Sequence, residues 1–429
     1  MALSVPDRVA MNVSELELKA DLAAAREGTA ANVPYILIGN AGNRRTDGLQ
    51  AARRRFGLAP ALLLTYRELL QGAASLEEML DRVRRSRAGS PIIRLDAPGE
   101  HPEVERELIA LGALNGSADE QGARAQESIP AEAARRLPED HGRIRYPAQW
   151  FRGYCRLLAR FRLQASSAGI PVRWVNDPAD IAVMFDKRRC WEHLSRHGVR
   201  MPDLPAPAGS IAGYEGLQAA IRSSGMHRLF LKLACGSGAA GVIAYQCQPA
   251  TGAELAVTTL EMEDRAGETV FYNSGRLRQY RNHAEIRRMV DWLCGEGAHV
   301  ERWIAKDQLD GKSFDVRQLV VNGSACHAVL RLSSSPITNL HLRNERRPMH
   351  QGMITSGVAE AIASTAEAAL ASFPGSTVAG IDVLVRRGSG MTYAVDINPF
   401  GDLLYRVDYE GWNTYEWQMR QLLERKNHQ

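Results

Sequence analysis

The 429-residue chain has little of what marks a disulfide-rich, zinc-binding, membrane-spanning or nucleic-acid-binding protein. Its six cysteines are far apart and form no C-x-x-C pair, so we expect free thiols in a reducing compartment. No apolar run approaches the roughly 18 residues that span a bilayer, and the N-terminus shows no signal-peptide pattern. A net charge of +4 is small for this length and indicates no nucleic-acid partner. We therefore expect a cytoplasmic globular protein.

Apolar, strand-like runs alternate with helical stretches from about residue 33. The runs VPYILIGN, APALLLTY and SPIIRLD are separated by segments of helical character, which predicts a parallel sheet with helical crossovers. Ligands of such sheets bind beyond the carboxyl ends of the strands. The polar residues there are either a substrate rim or local turn residues, and they are Asn40, Arg44, Arg45, Asp96, Gly99 and Glu100.

The composition of the chain predicts four segments. Residues 1–30 form an arm or a short helix, and residues 31–180 form the α/β domain, which includes a polar insertion at 115–140. Residues 181–298 and 299–429 are two further α+β units. The second unit is expected to open with one helix that ends at Gly198, and VERWI is expected to be a strand that leads into the third. The roles of residues 1–30 and 115–140 stay open.

A loop of small residues follows a strand near the middle of the chain, in FLKLACGSGAAGV at residues 230–242. Its backbone N–H groups could surround a phosphate, with Lys232 adding a positive charge. A plain turn between two strands would use the same residues. The loop alone does not decide between these interpretations.

Two carboxylates and a carboxamide are expected to converge near the C-terminus. In AGIDVLVRRGSGMTYAVDINPFGD, two alternating segments flank the turn RGSG, which predicts a hairpin. If Arg386 faces Thr392, then Asp382 faces Asp396, and Asn398 shares that face. An all-oxygen site favours Mg²⁺ or Mn²⁺. The alternative is that the carboxylates cap turns or pair with Arg386 and Arg387.

Six kinds of segment occur in a characteristic order over about residues 181–402. In chain order they are DKRRCWEHLSRHGVRMP, FLKLACGSGAAGV, VERWI, FDVRQLVVNG with AVLRLS, TNLHL, and GIDVL with VDINP. Together they resemble the ATP-grasp superfamily, and especially its glutathione-synthase-like and glutamate-adding ligases. The resemblance implies an α/β (α+β) fold in which an N-terminal parallel domain precedes two subdomains that clasp ATP.

The resemblance also implies roles for individual residues. The nucleotide-binding residues would be Lys187, Lys232, Ser237, Gly238, Glu301 and Ile304. The residues at the transferred phosphate and the reacting centre would be Arg317, Arg331 and Asn339. The ligands of Mg²⁺ or Mn²⁺ would be Asp382, Asp396 and Asn398. The chain departs from the family pattern at Asp396, where many relatives have Glu, and after TNLH, where a basic stretch with Arg346 and Arg347 replaces a glycine-rich turn.

The implied activity is ATP-dependent ligation of a carboxylate to an amine, through an acyl phosphate and with release of ADP. The alternatives are a small-molecule kinase on the same scaffold and a non-catalytic ATP-binding module. The carboxylate would belong to a small molecule, a peptide or a protein tail, and the basic stretch either selects an acidic acceptor or is a solvated loop. Neither a membrane nor a nucleic acid is expected as a partner, and homo-oligomerisation is left open.

Overall fold

A computed structural model describes residues 33–87, 89–99, 101–113, 128–236, 240–265, 267–338, 344–350, 352–401 and 404–424. The predicted N-terminal arm and half of the predicted 115–140 insertion lie outside these ranges. Three β-sheets follow one another along the described chain, one parallel and two antiparallel. This arrangement confirms the predicted α/β class. No described helix is both long and apolar enough to cross a bilayer.

The first sheet is parallel, as the alternating pattern predicts. Its strands are β1 (Tyr35–Gly39), β2 (Leu62–Thr65), β3 (Ile92–Leu95) and β4 (Arg173–Trp174), in the order β2-β1-β3-β4. The connecting helices are α1 (Arg44–Arg55), α2 (Tyr66–Gln71), α3 (Leu76–Ser86), α4 (Pro102–Leu111), α5 (Ala131–Arg135) and α6 (Pro147–Ser167). Their apolar faces bury the strands, and residues such as Ile36, Ile93 and Leu157 have no exposed surface.

Helices α4 and α6 approach closely at a pair of glycines. A Cβ on Gly153 would lie 1.9 Å from the carbonyl oxygen of Leu108, and a Cβ on Gly112 would lie 1.9 Å from that of Gln149. Only glycine fits at either position, because the obstructing atoms belong to the backbone. The lack of a side chain at these two positions therefore allows the backbones of α4 and α6 to come into contact.

The second sheet is antiparallel and carries the glycine-rich segment. Its strands are β5 (Arg228–Leu233), β6 (Val242–Cys247), β7 (Glu254–Arg265), β8 (Glu268–Tyr280) and β9 (Ala298–Arg302), in the order β8-β7-β6-β5-β9. Helices α9 (Tyr214–Ser224) and α10 (His283–Gly295) pack on one face. Strand β9, which contains Glu301, pairs with β5, so this sheet extends to Arg302, beyond residue 298.

The prediction of a single helix that ends at Gly198 is wrong. The segment forms α7 (Pro178–Phe185) and α8 (Lys187–Arg196), which are separated at Asp186. Asp186 has extended backbone angles, and its carboxylate accepts the N–H of Arg188 at 3.0 Å. An aspartate that caps new N–H groups favours a helix start over continuation of the previous helix. The break places Lys187 at the first position of α8.

The third sheet contains β10 (Gln308–Leu309), β11 (Lys312–Val321), β12 (Ser324–Ser333), β13 (Glu345–Pro348), β14 (Val378–Val385) and β15 (Thr392–Asn398). The strand order is β13-β12-β11-β14-β15, and β10 pairs with β11. Asn322 and Gly323 have φ angles of 52° and 85° and join β11 to β12 as predicted. Helix α11 (Ser356–Ala371) packs on one face, and α12 (Thr414–Glu424) packs against α1.

We expect Gly153→Ala to lower the free energy of unfolding by about 3 kcal/mol or more, because the added methyl group cannot avoid a backbone carbonyl. Thermal or urea unfolding followed by circular dichroism measures this change. Gly357→Ala is the matched control, since a Cβ at that exposed helical site meets nothing within 4 Å. Equal stability of both variants would show that α4 and α6 do not require this close contact.

Candidate active site

Side chains on β11 alternate between a hydrophobic core and a charged surface. Phe314 and Val316 are buried against α11, whereas Asp315 and Arg317 point to the opposite face because successive strand residues alternate. Arg317 lies opposite Asp382 of β14 in the register. The period-two pattern of this strand thus produces a charged surface on a sheet whose other face is apolar.

Asp382 is held by two guanidinium groups. Arg317 makes an ion pair with it through Nε, and its terminal nitrogen lies 3.3 Å from Oδ2. Arg331 on β12 lies 3.0 Å from the same Oδ2. Arg331 and Asp382 are both nearly inaccessible to water. Asp382 therefore pairs with these two arginines, and the predicted alternative partners Arg386 and Arg387 do not contact it in the described hydrogen bonds and ion pairs.

The carboxylates face each other because the hairpin contains a β-bulge. Near the turn, Val385 faces Thr392, so the predicted pairing of Arg386 with Thr392 is wrong by one residue. The register shifts between Val383 and Asp382, which leaves Val395 without a partner residue. This extra residue shifts the pairing by one position, so Asp382 lies opposite Asp396 as predicted.

Asn398 lies two residues beyond Asp396 and opposite Gly380. Its amide nitrogen donates to the Gly380 carbonyl at 3.1 Å, so its amide oxygen is the atom left to face a ligand. No group of three or more His, Cys, Asp or Glu side chains is placed for a metal ion within the described ranges. Two carboxylates and one amide oxygen nevertheless fit a hard cation such as Mg²⁺, which usually completes its shell with water and phosphate oxygens.

Lys187 connects the glycine-rich segment to the carboxylates. Its ammonium group donates to the Gly236 carbonyl at 2.8 Å and lies 3.6 Å from Oδ1 of Asp396. Its side chain is only 12% exposed, so the charge is directed into the space between the second and third sheets. The N-terminal position of Lys187 in α8, set by the Asp186 cap, provides this direction.

Lys232 and Glu301 form a buried ion pair across neighbouring strands of the second sheet. Burial alone would lower the pKa of Lys232, but the negative charges of Glu301, Asp396 and Asp382 outweigh it and raise that pKa. Burial would likewise raise the pKa of Glu301, yet Lys232 and His299 lower it to about 2. His299 Nε2 lies 3.1 Å from Glu301. Both members of the pair are therefore charged at neutral pH.

Lys306, Asp315 and Thr338 complete the charged region, and none of the three was predicted from the sequence. Asp315 accepts hydrogen bonds from Arg331 Nε at 2.6 Å, from Lys306 at 2.7 Å and from Thr338. Burial would raise the pKa of Asp315, but Arg331 and Lys306 lower it well below its usual range. The only available signal was the position of Asp315, two residues before Arg317 on the same strand face.

An apolar patch adjoins the charged residues on the inner face of the second sheet. Phe230, which shares a strand face with Lys232, packs with Val257 and Ala244 against Ile337 of the third region. Ile304 is also buried, with 8% exposure. This apolar patch shares its strand face with the buried pair Lys232 and Glu301.

Three predicted site residues, Ser237, Gly238 and Asn339, lie outside the described residues. The described end of the glycine loop does require glycine. Gly241 has a φ of +64°, and a Cβ there would lie 2.5 Å from Cγ of Leu233. Burial raises the pKa of Cys235 well above its usual value, which disfavours the reactive thiolate.

Two of the predicted rim residues of the first sheet, Asn40 and Asp96, are engaged with the protein itself, whereas Glu100 lies outside the described residues. Asn40 donates to the carbonyls of Pro98 and Gly99 at 2.9 and 3.1 Å, and Asp96 pairs with Arg94 at 3.0 Å. Arg347 of the basic stretch pairs with Asp310 and Glu345. These partners favour the local structural interpretation for each of these side chains.

No family model and no curated protein matches the chain. Among solved structures, D-cycloserine synthetase DcsG matches with 13% identity and a TM-score of 0.48, over 91% of this chain and 99% of that one. ATP-grasp ligase PsnB, complexed with a minimal precursor, matches with 12% identity and a TM-score of 0.49, over 92% and 99%. D-alanine–D-alanine ligase from Bacillus anthracis, complexed with ATP, matches with 10% identity and a TM-score of 0.43, over 86% and 87%.

We expect Glu301→Gln to lower the free energy of unfolding by about 3 kcal/mol at pH 7, because Lys232 loses its buried partner. The pKa of Glu301 falls on folding from 4.5 to about 2, so its contribution is present above pH 4.5 and is lost as the pH falls toward 2. Because the pKa of Lys232 is raised, the contribution of Lys232 is complete below its ordinary value and is lost only at higher pH.

The measurement is urea unfolding of both proteins between pH 3 and pH 9. The difference in unfolding free energy between wild type and Glu301→Gln should be constant from about pH 5 upward and shrink below about pH 4. Glu263→Gln is the control, since the ion pair of Glu263 with Arg265 is exposed and worth at most about 1 kcal/mol. A difference that does not change with pH would contradict the assigned ion pair.

Proposed function

We propose that this chain is an ATP-dependent ligase of the ATP-grasp kind, which joins a carboxylate to an amine and releases ADP and phosphate. The observation behind this proposal is that acidic side chains on two neighbouring strands lie close to two lysines. Asp382 and Asp396 face each other on the third sheet, and Lys187 reaches Asp396 from the second region. Cations and carboxylates so arranged match the needs of a metal-bound triphosphate.

The nucleotide would lie between the second and third sheets. Lys187 and Lys232 would contact its phosphates, and the segment with Ser237 and Gly238 would cover them with backbone N–H groups. The apolar patch around Phe230 and the buried Ile304 would contact the adenine ring. Because Lys232 is paired with Glu301, nucleotide binding would exchange one anionic partner for another.

Asp382, Asp396 and Asn398 would hold Mg²⁺ or Mn²⁺ together with the phosphates. Such an ion would neutralise the charge that develops as the phosphoryl group leaves ATP. The overall charge of the site agrees with an anionic ligand. Five cationic side chains (Lys187, Lys232, Lys306, Arg317 and Arg331) are in contact with four acidic ones (Glu301, Asp315, Asp382 and Asp396).

The chemistry would proceed in two displacements. A carboxylate oxygen of the substrate attacks the γ-phosphorus, the bond to the β-phosphate oxygen breaks, and ADP leaves. The amine then attacks the acyl carbon, inorganic phosphate leaves, and the amine nitrogen loses a proton. Arg317 and Arg331 would orient the oxygens of the acyl phosphate with their forked donors, and Asn339 would lie near the reacting centre. No covalent nucleophile of the protein takes part.

The decisive experiment incubates the protein with ATP, Mg²⁺, and fractionated extract as a source of carboxylates and amines, and analyses products by mass spectrometry. We expect ADP and phosphate together with a product whose mass equals two substrates less one water. A stable phosphorylated product without condensation would instead identify a kinase. ATP binding without turnover in any fraction would identify a non-catalytic module.

We expect Asp396→Asn to reduce Mg²⁺-dependent release of ADP about a hundredfold or more, because one oxygen ligand loses its charge. The fold should be unchanged, since Asp396 is partly exposed and its ion pair with Lys187 is long at 3.6 Å. Phosphate release at varied Mg²⁺ measures the effect. Asp203→Asn is the control, because Asp203 pairs with Arg302 at the surface. Wild-type turnover by the Asp396 variant would refute the metal assignment.

A further inference from the structure

Three consecutive backbone carbonyls that follow β15 each accept a hydrogen bond from a different side chain of the parallel-sheet region. The pairs are Asn176 with Pro399, Arg94 with Phe400 at 3.0 Å, and Arg45 with Gly401 at 3.0 Å. We call residues 399–401 the anchored segment. It begins one residue after Asn398 and three residues after Asp396, so its position determines where the end of β15 lies.

Asn176 joins the anchored segment to the start of β14. Its amide oxygen accepts the N–H groups of Thr377 and Val378 at 3.0 and 3.1 Å. Its amide nitrogen donates to the carbonyls of Val378, at 2.7 Å, and Pro399. Asn176 is buried, and all four of these bonds go to backbone atoms. One side chain therefore links both strands that carry the proposed metal ligands.

Arg94 is a buried cation that donates a hydrogen bond to the next carbonyl, that of Phe400. Besides Phe400, it donates to Asp96 at 3.0 Å and to Gln418 at 2.7 Å. It is 2% exposed, and burying an arginine is costly unless each of its donors finds a partner. The carbonyl of Phe400 is thus part of a satisfied network, and moving it would leave a buried guanidinium group with an unpaired donor.

This anchoring matters because β15 pairs with one strand, β14, while its other edge meets Arg200, whose carbonyl accepts the Ala394 N–H at 3.0 Å. Strand β15 is the terminal strand of its sheet, and its register changes at the unpaired Val395. A one-residue slip of an edge strand would turn Asp396 and Asn398 to the other face. Burial of Ala394 and Ile397 in the core opposes such a slip, and the hydrogen bonds of the anchored segment oppose it at the end of β15.

We propose that Asn176 and Arg94, with support from Arg45, are positioning residues that hold Asp396 and Asn398 in the orientation that binds a nucleotide-associated divalent cation. The parallel-sheet region thereby acts on the metal site without touching the metal. This inference rests on the proposed function, because it presumes that Asp396 and Asn398 bind such a cation. It goes beyond that function by assigning the geometry of the site to residues more than 200 positions away in the sequence.

The test compares wild type with Asn176→Asp, which retains an acceptor oxygen but loses both N–H donors. Mn²⁺ binding is measured by electron paramagnetic resonance in the presence of a non-hydrolysable ATP analogue, and binding of the analogue without metal is measured by calorimetry. We expect Mn²⁺ affinity to fall about tenfold or more, as for other residues that orient metal ligands. Affinity for the metal-free analogue should be unchanged.

The matched control is Gln149→Glu, the same amide-to-acid change at another buried amide. Gln149 donates to the carbonyls of Ile109 and Ile129 at 2.8 and 2.9 Å and accepts the N–H of Ile129. It lies on α6, and its described side-chain hydrogen bonds all go to residues of the parallel-sheet region. We expect a similar loss of thermal stability but wild-type affinity for Mn²⁺, which separates positioning from general destabilisation.

Arg45→Met provides a second test if the Asn176 variant does not fold. Arg45 is partly exposed on α1, and its loss should weaken Mn²⁺ binding about threefold, as expected for one hydrogen bond to a charged donor that is partly solvated. Wild-type Mn²⁺ affinity in a folded Asn176 or Arg45 variant would overturn the inference and leave the proposed function intact. Failure of the wild type to bind Mn²⁺ with the analogue would overturn both.

Discussion

The site depends on the mutual neutralisation of charges that the fold has removed from water. Asp315 and Asp382 are nearly inaccessible, and each would be strongly destabilising without a cationic partner. Arg331 contacts both of them, and Lys306 completes the partners of Asp315. These contacts connect β11, β12, β14 and the linker from the second sheet. The charged network therefore holds the linker against three neighbouring strands of the third sheet.

The same network explains how the site could accept an anionic ligand without large rearrangement. Lys187 and Lys232 already point into this space, and each is paired with an acidic side chain of the protein. A triphosphate with its cation would replace these pairings with equivalent ones, so no charge would become isolated during binding. The energetic cost of burying the lysines is met during folding. In the proposed reaction, charges preorganised in this way would stabilise the transition state.

Backbone irregularities place the most important side chains. Without the bulge at Val395, the register near the turn would bring Val395, and not Asp396, opposite Asp382. The interruption at Asp186 directs Lys187 toward the carboxylates. Regular secondary structure alone would misplace both groups. Hydrogen bonds from the parallel-sheet region to residues 399–401 then connect the first region to the strand that ends at Asn398.

The sequence by itself determined the elements whose signals are local. The parallel sheet, the hairpin at Asn322–Gly323 and the face shared by Asp396 and Asn398 follow from strand periodicity and turn chemistry. Tertiary structure alone decided the bulge at Val395 and the partners of Asp382, which are Arg317 and Arg331. It also brought Lys306 to Asp315 and Asn176 to Pro399. These features could not be predicted because they depend on which segments meet in space, and the free energy of a buried charge or amide is set by neighbours that are distant in the chain.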